Sequence, residues 1–192
     1  MNIPNSLTLL RIAMIPVFVV VFYLPFSWAN LAACLVFIVA AVTDILDGYF
    51  ARKLGQISPL GEFLDPVADK LMVAVVLVCL VDRDSHNLNW SLVLTLPAAV
   101  IIGREITVSA LREWMAELGA RSKVAVSVYG KIKTIAQMVA LGVLVFKAPL
   151  FGIPVYEIGM VLLYIAAVLT LVSMFQYLSS AWPKLRESNK KQ

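Results

Sequence analysis

The sequence predicts an all-α, polytopic membrane protein with six transmembrane helices, both termini on the inner side, and a short N-terminal surface helix. Three observations carry that expectation. Of the 192 residues, 61% are hydrophobic and only 15% charged, whereas a soluble domain is nearer half apolar and about a quarter charged. A soluble globule of this size still exposes roughly 30% of its unfolded area, so it cannot hide so much apolar surface. The apolar residues fall into six runs, and six crossings of about 20 residues each consume most of the chain. The positive charges are also one-sided. With the amino terminus inside, 14 of the 16 Lys and Arg fall on the inner face, and only Arg83 and Lys147 fall outside. That split fixes an N-in, C-in topology. The chain then forms a single membrane domain over residues 1–192. A separate soluble catalytic domain, a disordered chain and a secreted disulfide scaffold are excluded.

The runs follow in order. Ile12 to Leu24 continues a segment beginning near Pro4. There Pro4, Asn5 and Thr8 look like a helix start lying near the inner surface. A lone Arg11 and no small-residue cleavage pattern argue against a cleaved signal peptide. Leu31 to Ala51 is the second run, Phe63 to Val81 the third, and Trp90 to Ile106 the fourth, continuing as a polar helix to about Leu118. Val124 to Phe146 and Val155 to Leu178 complete the set. Breaker chemistry separates them: Pro25-Phe26-Ser27, Gly55 to Pro59, Asp82 to Asn89, Gly119, and Pro149 to Pro154. Runs this long are not barrel strands, and open β-edges are not tolerated in lipid, so the runs are helices. Cys34 and Cys79 lie inside apolar runs and read as small buried hydrophobes. His86 sits in a polar loop and is given no role. No nucleic-acid partner is expected.

The informative residues are acids where a membrane disfavours them. Asp44, Asp47, Asp65 and Asp69 sit at the inner ends of the second and third runs. An aspartate at depth costs about 2.5–3.5 kcal/mol on insertion scales. Asp44 and Asp47 are i and i+3, and Asp65 and Asp69 are i and i+4, so each pair shares one helix face. The two helices run antiparallel across a short inner loop, so both pairs reach the same depth. Four facing carboxylates repel, and divalent cations relieve that repulsion. All-oxygen ligands favour Mg²⁺, Mn²⁺ or Ca²⁺ over Zn²⁺ or copper, and two Mg²⁺ neutralise the four charges. Gly48 follows Asp47, Gly61 precedes Asp65 by four, and Arg52 lies one turn beyond Gly48. Glycine permits close approach of a backbone or ligand. Metal ions, such a glycine and an arginine together suit a diphosphate. From the acids alone a cation channel, proton relay or small cation transporter stays open.

Residues 44–69 read D-x2-D-G-x2-A-R-x8-G-x3-D-x3-D, as Asp44, Asp47, Gly48, Ala51, Arg52, Gly61, Asp65 and Asp69. This resembles the signature of the CDP-alcohol phosphatidyltransferase family, with no departure at any fixed position. The resemblance implies six transmembrane helices with the active site near the cytoplasmic surface, and a homodimer. It implies that the four aspartates hold two Mg²⁺, for which Mn²⁺ substitutes, and that Gly48, Arg52 and Ser58 lie against the nucleotide-diphosphate. It makes Asp69 the general base. It also implies CDP-diacylglycerol as donor, with its acyl chains among the membrane lipids.

The acceptor is read from the rest of the chain. Arg104, Arg112, Arg121, Lys123, Lys131 and Lys133 form a basic cluster on the inner side, suited to an anionic acceptor such as a phosphorylated polyol. Lys131 and Lys133 open the fifth run and point about 200° apart on one helix. One of them is expected to bind the acceptor phosphate, with Arg112 as second ligand and Arg104 and Arg121 nearby. Four stretches (Asn2 to Arg11, Arg104-Glu105-Ile106, Arg112 to Gly119 and Gly130 to Met138) resemble the bacterial branch of that family that takes glycerol 3-phosphate. That likeness adds Asn5, Thr8 and Arg11 to the expected CDP-lipid contacts, and places the chain in a bacterial inner (cytoplasmic) membrane. Inositol phosphate, serine or phosphatidylglycerol are the alternative acceptors.

Overall fold

The computed structural model describes residues 3–55, 58–84, 88–117, 128–149 and 152–189. Six helices account for nearly all of them: α1 (Ile3–Phe22), α2 (Ala29–Leu54), α3 (Pro59–Arg83), α4 (Leu88–Glu117), α5 (Val128–Phe146) and α6 (Val155–Asn189). Four carry stretches long and apolar enough to cross a membrane: Pro4–Phe22, Ala29–Phe50, Leu92–Glu117 and Val155–Trp182. The chain is thus an all-helical membrane protein with at least four candidate spans among the described residues. In α3 the acids of the site interrupt the apolar run. In α5 the uninterrupted apolar part is only Thr134–Phe146.

One expectation is corrected. The N-terminal segment is not a separate surface helix, because α1 runs unbroken from Ile3, with Pro16 inside it. The reason is local. Asn5, Thr8 and Arg11 recur every third residue and share one side of the helix. All three are buried against polar partners on α2 and α3, so this segment packs into the bundle rather than lying on its surface. The polar continuation of the fourth run is present, and α6 extends further than its apolar run.

The packed pairs are α1 with α2 and α3, α2 with α5, α3 with α4 and α5, and α6 with α4 and α5. A shared core includes Phe18, Phe37, Leu77, Leu141 and Leu163. Outward faces are as apolar as the core: Val20 is 63% exposed and Phe175 65%. On a soluble monomer such exposure is a liability; on a lipid-facing surface it is the ground state. Proline inside a span frees a carbonyl that lipid cannot satisfy. Pro97 in α4 frees that of Val93, and the Tyr164 hydroxyl of α6 donates to it at 2.7 Å.

Polar side chains gather at the two ends of the bundle. On α2, Asp47 lies eighteen residues beyond Ala29, about 27 Å along the axis, close to the roughly 30 Å of a hydrocarbon core. At the end away from the four aspartates, the Tyr23 hydroxyl donates to Asp82 at 2.8 Å, and the Tyr156 hydroxyl donates to Asp84. Lys147 pairs with Asp84 at 3.5 Å. Arg83 donates to the Leu144 carbonyl at 2.8 Å and lies over the Phe22 ring. These contacts tie α1, α3, α5 and α6 together.

Candidate active site

The opposite end holds the aspartates. Helix α2 carries Asp44 and Asp47 one turn apart, then ends at Gly55, whose φ of +61° closes the helix in the left-handed conformation. Ser58 caps α3 and Pro59 opens it. The cap is built into the site. Ser58 Oγ accepts from the Gly61 N–H at 3.0 Å and donates to Asn5 Oδ1 on α1 at 2.7 Å. A Cβ at Gly61 would stand 2.8 Å from Asn5 Oδ1, so glycine leaves room for the Asn5–Ser58 hydrogen bond. Asp65 and Asp69 follow on α3, with Pro66 between them.

Helix α1 supplies the partners. Thr8 Oγ1 donates to Asp65 Oδ1 at 2.6 Å. Arg11 is 2% exposed and meets three carboxylates. Its Nη1 lies 2.8 Å from Asp44 Oδ1 and 2.5 Å from Asp69 Oδ1, and its Nη2 contacts Asp47 Oδ2. Its Nε has no partner among the described residues. Asp47 is buried, while Asp44 and Asp69 remain roughly half exposed. The two faces read from the spacing therefore do confront each other, with Arg11 wedged between them.

That arrangement leaves a charge imbalance. Among the described residues one guanidinium faces four carboxylates, a formal residue of −3, with Asp47 buried and Asp44 and Asp69 open to the cavity. The donors are all oxygens, the set that suits hard divalent cations. Among the described residues no three His, Cys, Asp or Glu side chains gather around a common empty point, because Arg11 stands where Asp44, Asp47 and Asp69 converge. Donor chemistry and uncompensated charge both fit divalent cations held by these aspartates.

A cavity of about 370 Å³ opens beside the cluster, between α2, α3 and α5. Arg11, Asp44 and Asp69 form its polar end, and α5 adds Thr134 and Gln137. A second, almost wholly apolar groove of about 450 Å³ runs between α2 and α5. It shares Ala41, Ile45, Met138 and Val139 with the cavity, so the two are continuous.

The remaining expected residues are placed as follows. Gly48 lies on α2 one residue past Asp47. Arg104 and Arg112 both lie on α4 and engage α6. Arg104 is buried, donates to Ser173 at 2.9 Å and pairs with Glu105 at 2.8 Å. Arg112 donates to the Tyr177 hydroxyl at 2.8 Å, and both guanidinia stack on that ring. The side chains of Arg52, Lys131 and Lys133, and Arg121 and Lys123 altogether, lie outside the described residues. Two features escaped the sequence reading. Arg11 is the counter-ion of the aspartates, which its place more than thirty residues upstream conceals. Gln137 lines the cavity, and its signal was a single amide in the otherwise apolar half of α5.

These observations define a helical membrane protein whose carboxylate-lined chamber opens toward one end of the bundle and onto an apolar groove. The chain belongs to the CDP-alcohol phosphatidyltransferase family, whose model it matches over residues 1–172. Several relatives are similar along nearly their whole length. A Pseudomonas fluorescens protein is 55% identical over 193 residues, covering 100% of this chain and 96% of its own. One from Salmonella typhimurium is 54% identical over 180 residues, 94% of each chain. One from Pectobacterium atrosepticum is 55% identical over 186 residues, 97% of this chain and 98% of its own. All three are named CDP-diacylglycerol–glycerol-3-phosphate 3-phosphatidyltransferase.

Proposed function

We propose that this chain transfers the phosphatidyl group of CDP-diacylglycerol to glycerol 3-phosphate, giving phosphatidylglycerophosphate and CMP. The observation that carries the proposal is the convergence of Asp44, Asp47 and Asp69 on buried Arg11, with Asp65 held by Thr8, in a chain 55% identical to a protein bearing that name. The aspartates would hold two Mg²⁺, or Mn²⁺ in their place, which polarise the β-phosphoryl group and stabilise the leaving CMP.

The chain's own groups do the rest. Gly48, Arg52 and Ser58 lie along the nucleotide-diphosphate with Asn5, Thr8 and Arg11, of which Thr8 and Arg11 also hold the aspartates and Asn5 holds Ser58. The apolar groove between α2 and α5 keeps the lipid part of the donor out of water. Asp69, half exposed on the cavity wall, accepts the proton of the C1 hydroxyl as that oxygen attacks phosphorus. No Cys or His lines the cavity among the described residues, so direct transfer is favoured over a covalent intermediate. Lys131 or Lys133 holds the acceptor phosphate with Arg121 nearby; Arg112 and Arg104, which contact Tyr177 and Ser173 of α6, join it by exchanging those contacts for the phosphate.

The same reading gives six spans, both termini and the active site on the cytoplasmic side of a bacterial inner membrane, and a homodimer. The test is labelled CDP-diacylglycerol offered to the purified protein with a panel of acceptors. Glycerol 3-phosphate should release CMP, while inositol phosphate, serine and phosphatidylglycerol should not. CMP release with another acceptor alone would overturn the acceptor assignment. No CMP with any acceptor would return the aspartates to the cation-transport reading.

A further inference from the structure

Gln137 is 4% exposed, and its Oε1 has no hydrogen-bond partner among the described residues. A buried amide oxygen without a partner is uncommon and asks for an explanation. Gln137 is also a wall of the cavity that holds Asp69, Asp44 and Arg11. It lies on α5 and Asp69 on α3, so two different helices bring an accepting oxygen and the proposed base to one chamber.

We propose that Gln137 is a specificity residue that accepts a hydrogen bond from the hydroxyl next to the attacking one on a vicinal diol phosphate. This rests on the transfer reading above. The chemistry of the orphan atom selects the ligand. A carboxamide oxygen only accepts, so its partner has to donate. The ester carbonyls and diphosphate oxygens of a CDP-lipid offer no donor, and its cytosine amine and ribose hydroxyls belong to the nucleotide end, which the transfer reading sets against Gly48, Arg52 and Ser58 rather than in this chamber. An acceptor with two adjacent hydroxyls does. One loses its proton to Asp69, and its neighbour keeps a proton to give to Gln137 Oε1. A site built to hydrogen-bond a substrate hydroxyl rejects an analogue lacking it, because the buried acceptor is then left unpaired.

The experiment compares kcat/KM for glycerol 3-phosphate and 3-hydroxypropyl phosphate, which lacks the second hydroxyl, in wild-type protein and in Gln137→Met. Wild type should prefer glycerol 3-phosphate by about 10- to 100-fold. In Gln137→Met the glycerol 3-phosphate value should fall by that factor, with 3-hydroxypropyl phosphate and the KM for CDP-diacylglycerol unchanged. Activity on 3-hydroxypropyl phosphate thereby reports an intact fold. The wild-type protein gives a second test that needs no variant. A glycerol 3-phosphate analogue with fluorine replacing the second hydroxyl should be disfavoured like the deoxy compound, since fluorine does not donate. A wild-type-like preference in Gln137→Met, or equal use of the fluoro compound and glycerol 3-phosphate, overturns the role of Gln137 and leaves the transfer reading standing. Absence of CMP release from wild type with every alcohol overturns both.

Discussion

Removing Arg11 should expose how much of this bundle is held against its own negative charge. In Arg11→Met the stem volume is kept and the guanidinium is lost. Asp44, Asp47 and Asp69 then lose their shared counter-ion, contacted at 2.8 Å, through Nη2, and at 2.5 Å respectively. Breaking a buried ion pair by deleting one partner costs about 3–5 kcal/mol, because the other charge stays behind unpaired. For a chain of this length, each 1 kcal/mol moves the midpoint by about 2–4 °C, so Tm in chelator should drop by roughly 6–20 °C. Mg²⁺ should restore more stability to Arg11→Met than to wild type, since the variant has the larger charge imbalance to relieve. Arg11→Lys keeps the charge but concentrates its donors on one nitrogen that cannot span the carboxylates as the guanidinium fork does, so it should lose one charge-assisted contact, about 1.5–3 kcal/mol. The assay is thermal unfolding in detergent with EDTA and with Mg²⁺. An Arg11→Met protein that melts with wild type in EDTA would refute the reasoning. So would one that gains no more from Mg²⁺ than wild type does.

Three further outcomes are expected. Asp69→Asn should lose turnover while its KM for CDP-diacylglycerol holds, whereas Asp65→Asn should lose metal-dependent activity altogether; near wild-type kcat in Asp69→Asn would remove it as the base. Gly61→Ala sets a Cβ 2.8 Å from Asn5 Oδ1 and 3.2 Å from Ser58 Oγ, so the Asn5 amide should turn away and its bond with Ser58 be lost, at about 0.5–1.5 kcal/mol, read as a slightly lower Tm together with reduced CMP release. Asp84→Asn, at the far end, weakens contacts to Tyr156 and Lys147 and should lower Tm by the equivalent of about 1–3 kcal/mol with kcat/KM unchanged, which unfolding and CMP assays on one preparation will check.

The sequence made the helices legible because each apolar run approaches the length of a bilayer crossing and is bounded by Pro, Gly or charge. It also made the confrontation of the two aspartate pairs legible, since i, i+3 and i, i+4 spacings on antiparallel neighbours leave few other arrangements. Polar residues that blur α3 and α5 as spans also line the chamber: Asp69 in one, and Thr134 and Gln137 in the other. What stayed hidden depends on contacts distant in sequence. Nothing local to Arg11 shows that it meets Asp44, Asp47 and Asp69. Resemblance places Arg11 with Asn5 and Thr8 among the CDP-lipid contacts, while Pro4, Asn5 and Thr8 read as a helix start near the surface; the counter-ion role of Arg11 leaves no local signal beyond the three-residue spacing. Likewise the basic cluster reads as a patch until Tyr177 and Ser173 of α6 are seen to hold Arg112 and Arg104.

The most direct measurement is CMP release from CDP-diacylglycerol by the purified chain with glycerol 3-phosphate and Mg²⁺, beside a variant in which Asp44, Asp47 and Asp65 are all asparagine. The account predicts equimolar CMP and phosphatidylglycerophosphate from wild type, abolished by EDTA and restored by Mg²⁺ or Mn²⁺, and no product from the triple variant. Wild-type rates in EDTA, or in the triple variant, would contradict it.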